Sequence, residues 1–344
     1  MTLKFIHISA IFWLLLFVGF SVAHGQSVAV SIIGSANGQQ LAAANAGSDI
    51  SQYSSKFSMT AATPVIGTGT WSIVSGTATI TDPSSATTTV TGVPVGESVL
   101  RWTVSLDNCL QSANVKLKVI PAPTVSIKVF LEGPFNGSNL MNDNLRNLNL
   151  IPLIEPYAAL TGFKHKNGGG NEVINATVLG VTGDNAIIDW IFLELRAEAK
   201  PDSVSGTRSA LLQANGNVVD VDGVSPIRFN NLLLGNYFIT VRHRNHLTIK
   251  TDYAVALSSV TTLIDFTTKT NPVSSSKTNE INNFKVMRGG DLNADENITA
   301  FDVLKVRLAN SVVQSNTYTV EDVNMDGQTT AFDILIVRKN NKSN

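Results

Sequence analysis

The chain has 344 residues, with 25 Lys and Arg against 26 Asp and Glu, a formal net charge of −1 and a single cysteine. A balance this close to zero leaves no basic footprint for nucleic acid or an anionic membrane surface. With Cys109 alone there is no internal disulfide framework, so stability has to come from apolar cores or bound metal, and a chain this long is expected to divide into two or three domains.

Residues 1–25 read as a secretory signal. Lys4 precedes an apolar stretch from Phe5 to Val22, which closes on Ala23-His24-Gly25. Cleavage after Gly25 would leave no membrane span in the mature chain and send it to the cell surface or beyond. The alternative is an uncleaved anchor, since the stretch sits near the lower length limit for a bilayer span.

From Ala46 to Val119, short β-branched runs alternate with turn residues: 70–74, 78–80, 87–90, 100–104 and 115–119. Such spacing predicts an antiparallel β-sandwich over 26–120. Trp71 and Ile73 share one strand face, as do Trp102 and Val104, and all four are expected in the core. Ala46-Gly47-Ser48-Asp49, Gly67-Thr68-Gly69-Thr70-Trp71-Ser72 and Leu100-Arg101-Trp102-Thr103-Val104 resemble PKD-like or immunoglobulin-like repeats of bacterial surface proteins. That resemblance implies a cysteine near position 53 paired with one at Cys109, but Tyr53 stands there, so Cys109 is expected as a small buried apolar residue.

Pro121 and Pro123 mark a linker into a second predicted β-sandwich over 124–266. Its clearest strands are 125–131, 187–195, 211–221 and 237–249, with Asn215-Gly216 supplying a tight hairpin turn in the third. The Asn-rich stretch 136–149 is expected as an extended surface loop. Residues 130–137 and 241–247 resemble the C-terminal parts of bacterial secreted proteins called haemagglutinin-like, which implies a surface setting and little mechanism. The polar stretch 267–284 reads as a flexible connector.

Residues 285–344 differ in kind. In 291–302, oxygen-bearing side chains fall at loop positions 1, 3, 5, 9 and 12: Asp291, Asn293, Asp295, Thr299 and Asp302, with the main-chain carbonyl of Asn297 at position 7. The pattern returns in 322–333 with Asp322, Asn324, Asp326, Thr330 and Asp333, and Gln328 as the carbonyl donor. A tight loop around one ion points alternate residues inward, and an all-oxygen set without His or Cys selects calcium. The plain alternative is that Asp, Asn and Gly only make turns; its weight falls when two segments repeat in register. Two calcium ions are therefore expected. Glu296 at position 6 of the first loop, where the second has Gly327, is a residue in a left-handed turn that costs about 1 kcal/mol, so the first site is expected to be weaker.

Each loop runs into an apolar helix without an equally clear entering helix, and position 12 is Asp. A doubled Asp-x-Asn-x-Asp with Thr-Ala-Phe-Asp resembles the dockerin family over 290–338. The resemblance implies a small α-helical module that contacts a cohesin partner through positions 10 and 11, here Ala300, Phe301, Ala331 and Phe332. The reading favoured for both phenylalanines is nevertheless the module's own core, because so short a unit needs its apolar groups.

Little else points to chemistry. His243 and His246 would lie on opposite strand faces unless Arg244-Asn245 turn the chain, and no third ligand is evident, so a surface or packing role is expected. Asp220 and Asp222 could mimic a carboxylate pair, but the adjacent Gly223 suggests a turn. The expected class is a multidomain, mainly β, non-catalytic adhesion or scaffold protein with two β-sandwiches and a dockerin-like module. The alternatives are a carbohydrate-binding accessory protein, with Trp190, Tyr157, Tyr237 or Tyr253 as stacking platforms, and a hydrolase in the middle region.

Overall fold

A computed structural model describes residues 41–269, 277–312 and 318–341. The expected signal, 1–25, lies outside the described residues. No helix among them is long and apolar enough to cross a membrane.

The first region is built from strands β1 (Ile50–Gln52), β2 (Phe57–Ser58), β3 (Thr68–Ser75), β4 (Thr79–Ile80), β5 (Thr89–Thr91), β6 (Gly96–Leu106) and β7 (Cys109–Val119). They form a four-stranded sheet in the order β1-β7-β6-β3 and a three-stranded sheet β2-β5-β4, which share one core. The pairing is antiparallel except for β1, which runs parallel to β7. Trp71 and Trp102 sit opposite each other in register with ring centroids 5.1 Å apart, and their indole N–H groups donate to the carbonyls of Ser85 and Ala62. Val104 joins them in the core, whereas Ile73, although still in register opposite the buried Leu100, is exposed near the end of β3. Cys109, expected to be buried, is only half-buried where β6 turns into β7.

The Pro121–Pro123 connection is short and packed. Ala122 is buried, and the Pro123 carbonyl accepts the Phe229 N–H at 2.9 Å. Beyond it come β8 (Thr124–Lys128), α1 (Asn144–Asn147), β9 (Ile187–Ala197), β10 (Gly206–Gln213), β11 (Asn217–Val219), β12 (Ile227–Arg228), β13 (Gly235–His243), β14 (His246–Lys250), β15 (Val255–Leu257) and β16 (Thr262–Asp265). All nine strands are hydrogen-bonded into one sheet in the order β12-β8-β11-β10-β9-β13-β14, with β15 on β13 and β16 parallel to β8. Run 211–221 turns at Asn215-Gly216 as expected, whereas 237–249, expected as one strand, is broken by a turn. Gly216, at φ 87°, makes the first, and Arg244-Asn245 makes the second.

Residues 187–195 of β9 are buried along their length, which explains why Ile187-Ile188-Asp189-Trp190-Ile191-Phe192-Leu193 shows no alternation. Part of the cover comes from the long segment before β9: Leu145 of α1, Ile151, Tyr157, Phe163 and Ile174 belong to the same core. The Tyr157 hydroxyl donates to the Trp190 carbonyl at 2.9 Å, and the Trp190 indole N–H donates to the Pro152 carbonyl at 2.8 Å. The Asn-rich stretch thus folds back instead of extending, with Met141 and Leu145 as its buried anchors.

Part of the expected connector is also ordered. β17 (Thr278–Ile281) and β18 (Phe284–Met287) form a hairpin whose Val286 and Met287 enter the middle core. The terminal segment then supplies α2 (Ala300–Asn310) and α3 (Ala331–Asn341).

A buried polar seam joins the middle sheet to this last segment. Asp189 accepts from His243 (3.1 Å), the Arg244 Nε–H (3.0 Å) and the Tyr318 hydroxyl (2.5 Å), and Arg244 stacks on the Tyr318 ring. Burial alone would raise the Asp189 carboxyl, but Arg244, His243 and Tyr318 together hold it down at about 2. His246 is kept well below its ordinary value by burial and by the neighbouring His243, and its Nε2–H donates to the Glu132 carbonyl at 2.8 Å.

This packing has two measurable consequences. A Cβ at Gly69 would overlap the Trp102 ring at Cζ2, so Gly69→Ala should cost about 1–3 kcal/mol by overpacking, read as lost amide protection across 68–119. Asp189→Ala leaves Arg244 charged and buried and should cost about 3–5 kcal/mol in denaturant unfolding, while Asp189→Leu with Arg244→Met should recover most of it. A loss equal in the single and double variants would show that packing, not charge, holds the seam.

Candidate metal centre and docking face

The two loops share one hydrogen-bond scheme at most positions, to which the second adds the Asn324 N–H donating to Asp333 at 3.0 Å. In the first, the Asp291 carboxylate accepts the N–H groups of Asp295 (3.2 Å) and Glu296 (3.1 Å). In the second, Asp322 accepts those of Asp326 (3.1 Å) and Gly327 (2.8 Å). The closing carboxylates match as well: Asp302 accepts from Leu292 and Thr299 at 2.9 and 2.8 Å, and Asp333 from Val323 and Thr330 at 2.8 and 2.7 Å. Asn293 donates to Asp295 at 2.7 Å, and Asn324 to Asp326 at 2.9 Å. The main-chain N–H of Asn297 donates to Asp295, and that of Gln328 to Asp326, both at 2.9 Å.

The backbone repeats too. Ala294 and Met325, both at position 4, have φ 59°, and position 6 is left-handed in each loop, with Glu296 at 68° and Gly327 at 85°. Only Gly327 adopts that conformation without a Cβ penalty. Thr299 caps α2 in a capping box with Asp302, and its hydroxyl accepts the Phe301 N–H at 3.2 Å. Thr330 does the same for Phe332 at 3.2 Å.

Four carboxylates are buried here: Asp291, Asp302, Asp322 and Asp333. Burial, followed by the loop N–H groups that oppose it and by the neighbouring Asp302 and Asp295, leaves Asp291 pushed up to about 7. Asp322 is likewise pushed up to about 7 by burial, with Arg244 and the Gly327 N–H opposing and Asp333 and Asp326 adding. Burial also raises Asp333. Among the described residues, none of the four forms an ion pair with Lys, Arg or His. Nor do three or more His, Cys, Asp or Glu converge there as a metal cluster on their own. A hard cation at either loop would draw on Asn, Thr and main-chain oxygens as well as carboxylates, and those are the donor types present.

The core of the terminal unit is Leu292, Ile298, Val306, Val323 and Val337, completed by Leu247 from β14. That contribution from the middle sheet is why the two phenylalanines are not needed inside. Contrary to the core reading, Phe301 is 57% and Phe332 is 68% exposed, along with Leu304, Leu308 and Leu335. Ala300 and Ala331 are exposed beside them. The duplicated helices therefore present an apolar face to solvent.

The remaining candidates have structural roles. His243 and His246 are fully buried partners across the Arg244-Asn245 turn, with Nδ1 atoms 3.1 Å apart. Asp222 holds a turn by accepting from Val224 and Ser225, and Asp220 pairs with Arg208. Of the four aromatics considered for sugar stacking, Trp190, Tyr157 and Tyr237 are in the core and Tyr253 is exposed. Sequence reasoning missed Glu132 and Asn245. Glu132 gathers Asn279 (2.8 Å), Asn340 (2.6 Å), Lys339 (2.9 Å) and the Gly289 N–H (3.1 Å), partners too distant in the chain for any local pattern to reveal.

Comparison with known proteins agrees with the loop geometry. The family model described as the dockerin type I domain matches residues 289–340. No curated protein matches the chain. Among solved structures, a type II cohesin–X–dockerin complex from Acetivibrio cellulolyticus is 18% identical, covering 63% of this chain and 94% of that one, with a TM-score of 0.29. A second mutant of that complex is 22% identical over 43% of this chain and 78% of that one, with a TM-score of 0.26. The PKD domain of the KIAA 1837 protein is 23% identical over 25% of this chain and 92% of that one, with a TM-score of 0.21. TM-scores this low decide nothing about partner or activity. Residues 289–340 are a dockerin-like module by their sequence.

Proposed function

We propose that the chain is an exported, non-catalytic docking protein whose terminal module binds two calcium ions and presents its helices to a cohesin-type protein partner. The observation that carries this reading is the residue-for-residue repetition of the two loops, each leading into a helix that exposes Phe and Leu. The match to the dockerin type I domain gives independent support for protein docking.

In this reading, Asp291, Asn293, Asp295, Thr299, Asp302 and the Asn297 carbonyl hold one ion. Asp322, Asn324, Asp326, Thr330, Asp333 and the Gln328 carbonyl hold the other. Calcium supplies the positive charge that the buried carboxylates lack, and so fixes the angle at which each helix leaves its loop. The protein's own contribution is to pre-form the loops with main-chain N–H groups and to keep apolar side chains on the outer helical face. Phe301, Leu304, Phe332 and Leu335 would then fill pockets on the partner, since large apolar groups at the centre of an interface carry most of its energy. An enzymatic role finds no support among the candidates considered: Asp189, His243 and His246 are occupied in the seam, and Asp220 and Asp222 in an ion pair and a turn.

The calcium part is tested by melting the intact chain in calcium and then in chelator. At free calcium 100-fold above the dissociation constant, one site contributes about 2.7 kcal/mol. For a terminal unit this small that raises its Tm by about 10–20 °C. Identical melts, with no calcium heat in calorimetry, would reduce the loops to ordinary turns.

The docking part is tested with Phe301→Ala combined with Phe332→Ala. Both side chains are exposed, so stability should change by no more than about 0.5 kcal/mol per site. Affinity for a cohesin-type partner should fall by about 30-fold or more, the loss expected when interface anchors are truncated. Undiminished binding would move the interface elsewhere.

A further inference from the structure

The two loops differ in how they meet the middle sheet. Asn245, at the β13–β14 turn, is fully buried, and its Nδ2 donates to the main-chain carbonyls of Val320 (3.1 Å) and Asp322 (2.8 Å). Its own carbonyl accepts the Gly290 N–H at 2.8 Å, and its Oδ1 lies 2.9 and 2.7 Å from Nδ1 of His243 and His246. Arg244 donates to the Thr319 carbonyl immediately upstream of the loop. Met325, at position 4, is buried as part of the middle core. A Cβ at Gly133 would stand 2.5 Å from the Val323 carbonyl oxygen, and one at Gly327 would stand 2.5 Å from Leu148 Cδ1. The second loop is thus gripped at positions 1, 2, 4 and 6. The first loop meets the same turn through the main chain, its entrance residue Gly290 donating to the Asn245 carbonyl, and touches the middle core through Ala294, near Gly162, while Asp295, Glu296 and Asn297 are exposed.

We propose that Asn245 is a positioning residue for the second calcium loop, and that occupancy of this loop, unlike the first, is coupled to the order of the middle sheet. This rests on the calcium reading above. The carboxamide fixes the main chain at the residue whose carboxylate opens the loop, so the ion meets Asp322 already placed. Without Asn245 the buried Asp322 carbonyl and the part-buried Val320 carbonyl lose their donor and the loop entrance must be ordered at the expense of ion binding. Met325 adds a second tie, because the loop cannot open without drawing this side chain out of the core. Coupling of binding free energies is reciprocal, so whatever the sheet does for the ion, the ion does for the sheet.

The test uses the intact chain and two readouts. In calorimetry with calcium, Asn245→Ala should weaken the second site by about tenfold or more, the usual loss when a group that orients a ligand is removed, and leave the first site unchanged. The sites are told apart by repeating the titration with Asp302→Ala and, separately, Asp333→Ala. In hydrogen exchange of the wild type, calcium should slow amides of 235–250 as well as 318–333, and this remote protection should vanish in Asp333→Ala but persist in Asp302→Ala. Should Asn245→Ala fail to fold without calcium, Met325→Ala, which leaves every proposed ligand in place, is expected to give the same selective loss. Protection confined to 289–341, or equal effects on both sites, would overturn the proposal while leaving calcium binding intact. A wild type that takes up no calcium would sink both.

Discussion

The seam between the middle sheet and the terminal module depends on one buried carboxylate. Asp189 sits in β9 among Ile187, Ile188, Trp190, Ile191, Phe192 and Leu193, a stretch covered along its length where an unpaired charge would be prohibitively expensive. It is tolerated because His243, Arg244 and Tyr318 all donate to it, and those three residues come from a hairpin turn and from the strand-free approach to the second loop. Satisfying Asp189 therefore fixes the conformation of the turn, and the turn places Asn245 against Asp322. A polar requirement in the centre of one sheet sets the position of a loop in another part of the chain. Hydrophobic contacts alone would tolerate sliding; a fully donated carboxylate does not.

How much of this could be read from the sequence depended on the distance between partners in the chain. The loops were legible because every participating oxygen lies within one short segment, and a second copy stands in register. The tryptophan pair of the first region was legible for the same reason, through strand alternation, although Ile73, on the same face near the end of its strand, is exposed. The phenylalanines at 301 and 332 defeat a sound premise, that a small unit must use its apolar groups. Leu247 lies outside the module in sequence and supplies the missing core volume, so the premise applied to the wrong set of residues. The same holds for Glu132, whose partners include residues 279 and 340. Residues 278–284 looked like the end of a polar connector because Thr278, Asn279 and Glu280 lead them, while Val286 and Met287, which anchor the hairpin in the middle core, lie beyond it in the stretch assigned to the terminal module.

Duplication did not produce equivalence. The two loops carry the same donor types and nearly the same hydrogen bonds, yet Gly327 relieves a backbone penalty that Glu296 retains. The second loop is also the one held by the middle region, through Asn245 at the β13–β14 turn and through Gly133 and Leu148 of the segment before β9. Both differences favour the same copy, so an internal repeat that looks symmetric in sequence is graded in its surroundings. The helical faces escaped that grading at Ala300 and Ala331, Phe301 and Phe332, and Leu304 and Leu335, which all point to solvent.

The connection at Pro121–Pro123 has a mechanical meaning. Ala122 is enclosed, and the Pro123 carbonyl is tied to Phe229, so β7 of the first region passes into β8 of the second with almost no slack. β8 lies within the nine-stranded sheet, which in turn grips the terminal module through the β13–β14 turn. A pull applied at α2 and α3 would consequently run through hydrogen-bonded sheet and packed polar seam before reaching the first region. Instead of being taken up by a yielding tether, tension would be borne by strand pairs, and the first element to give would set the load the whole chain can carry.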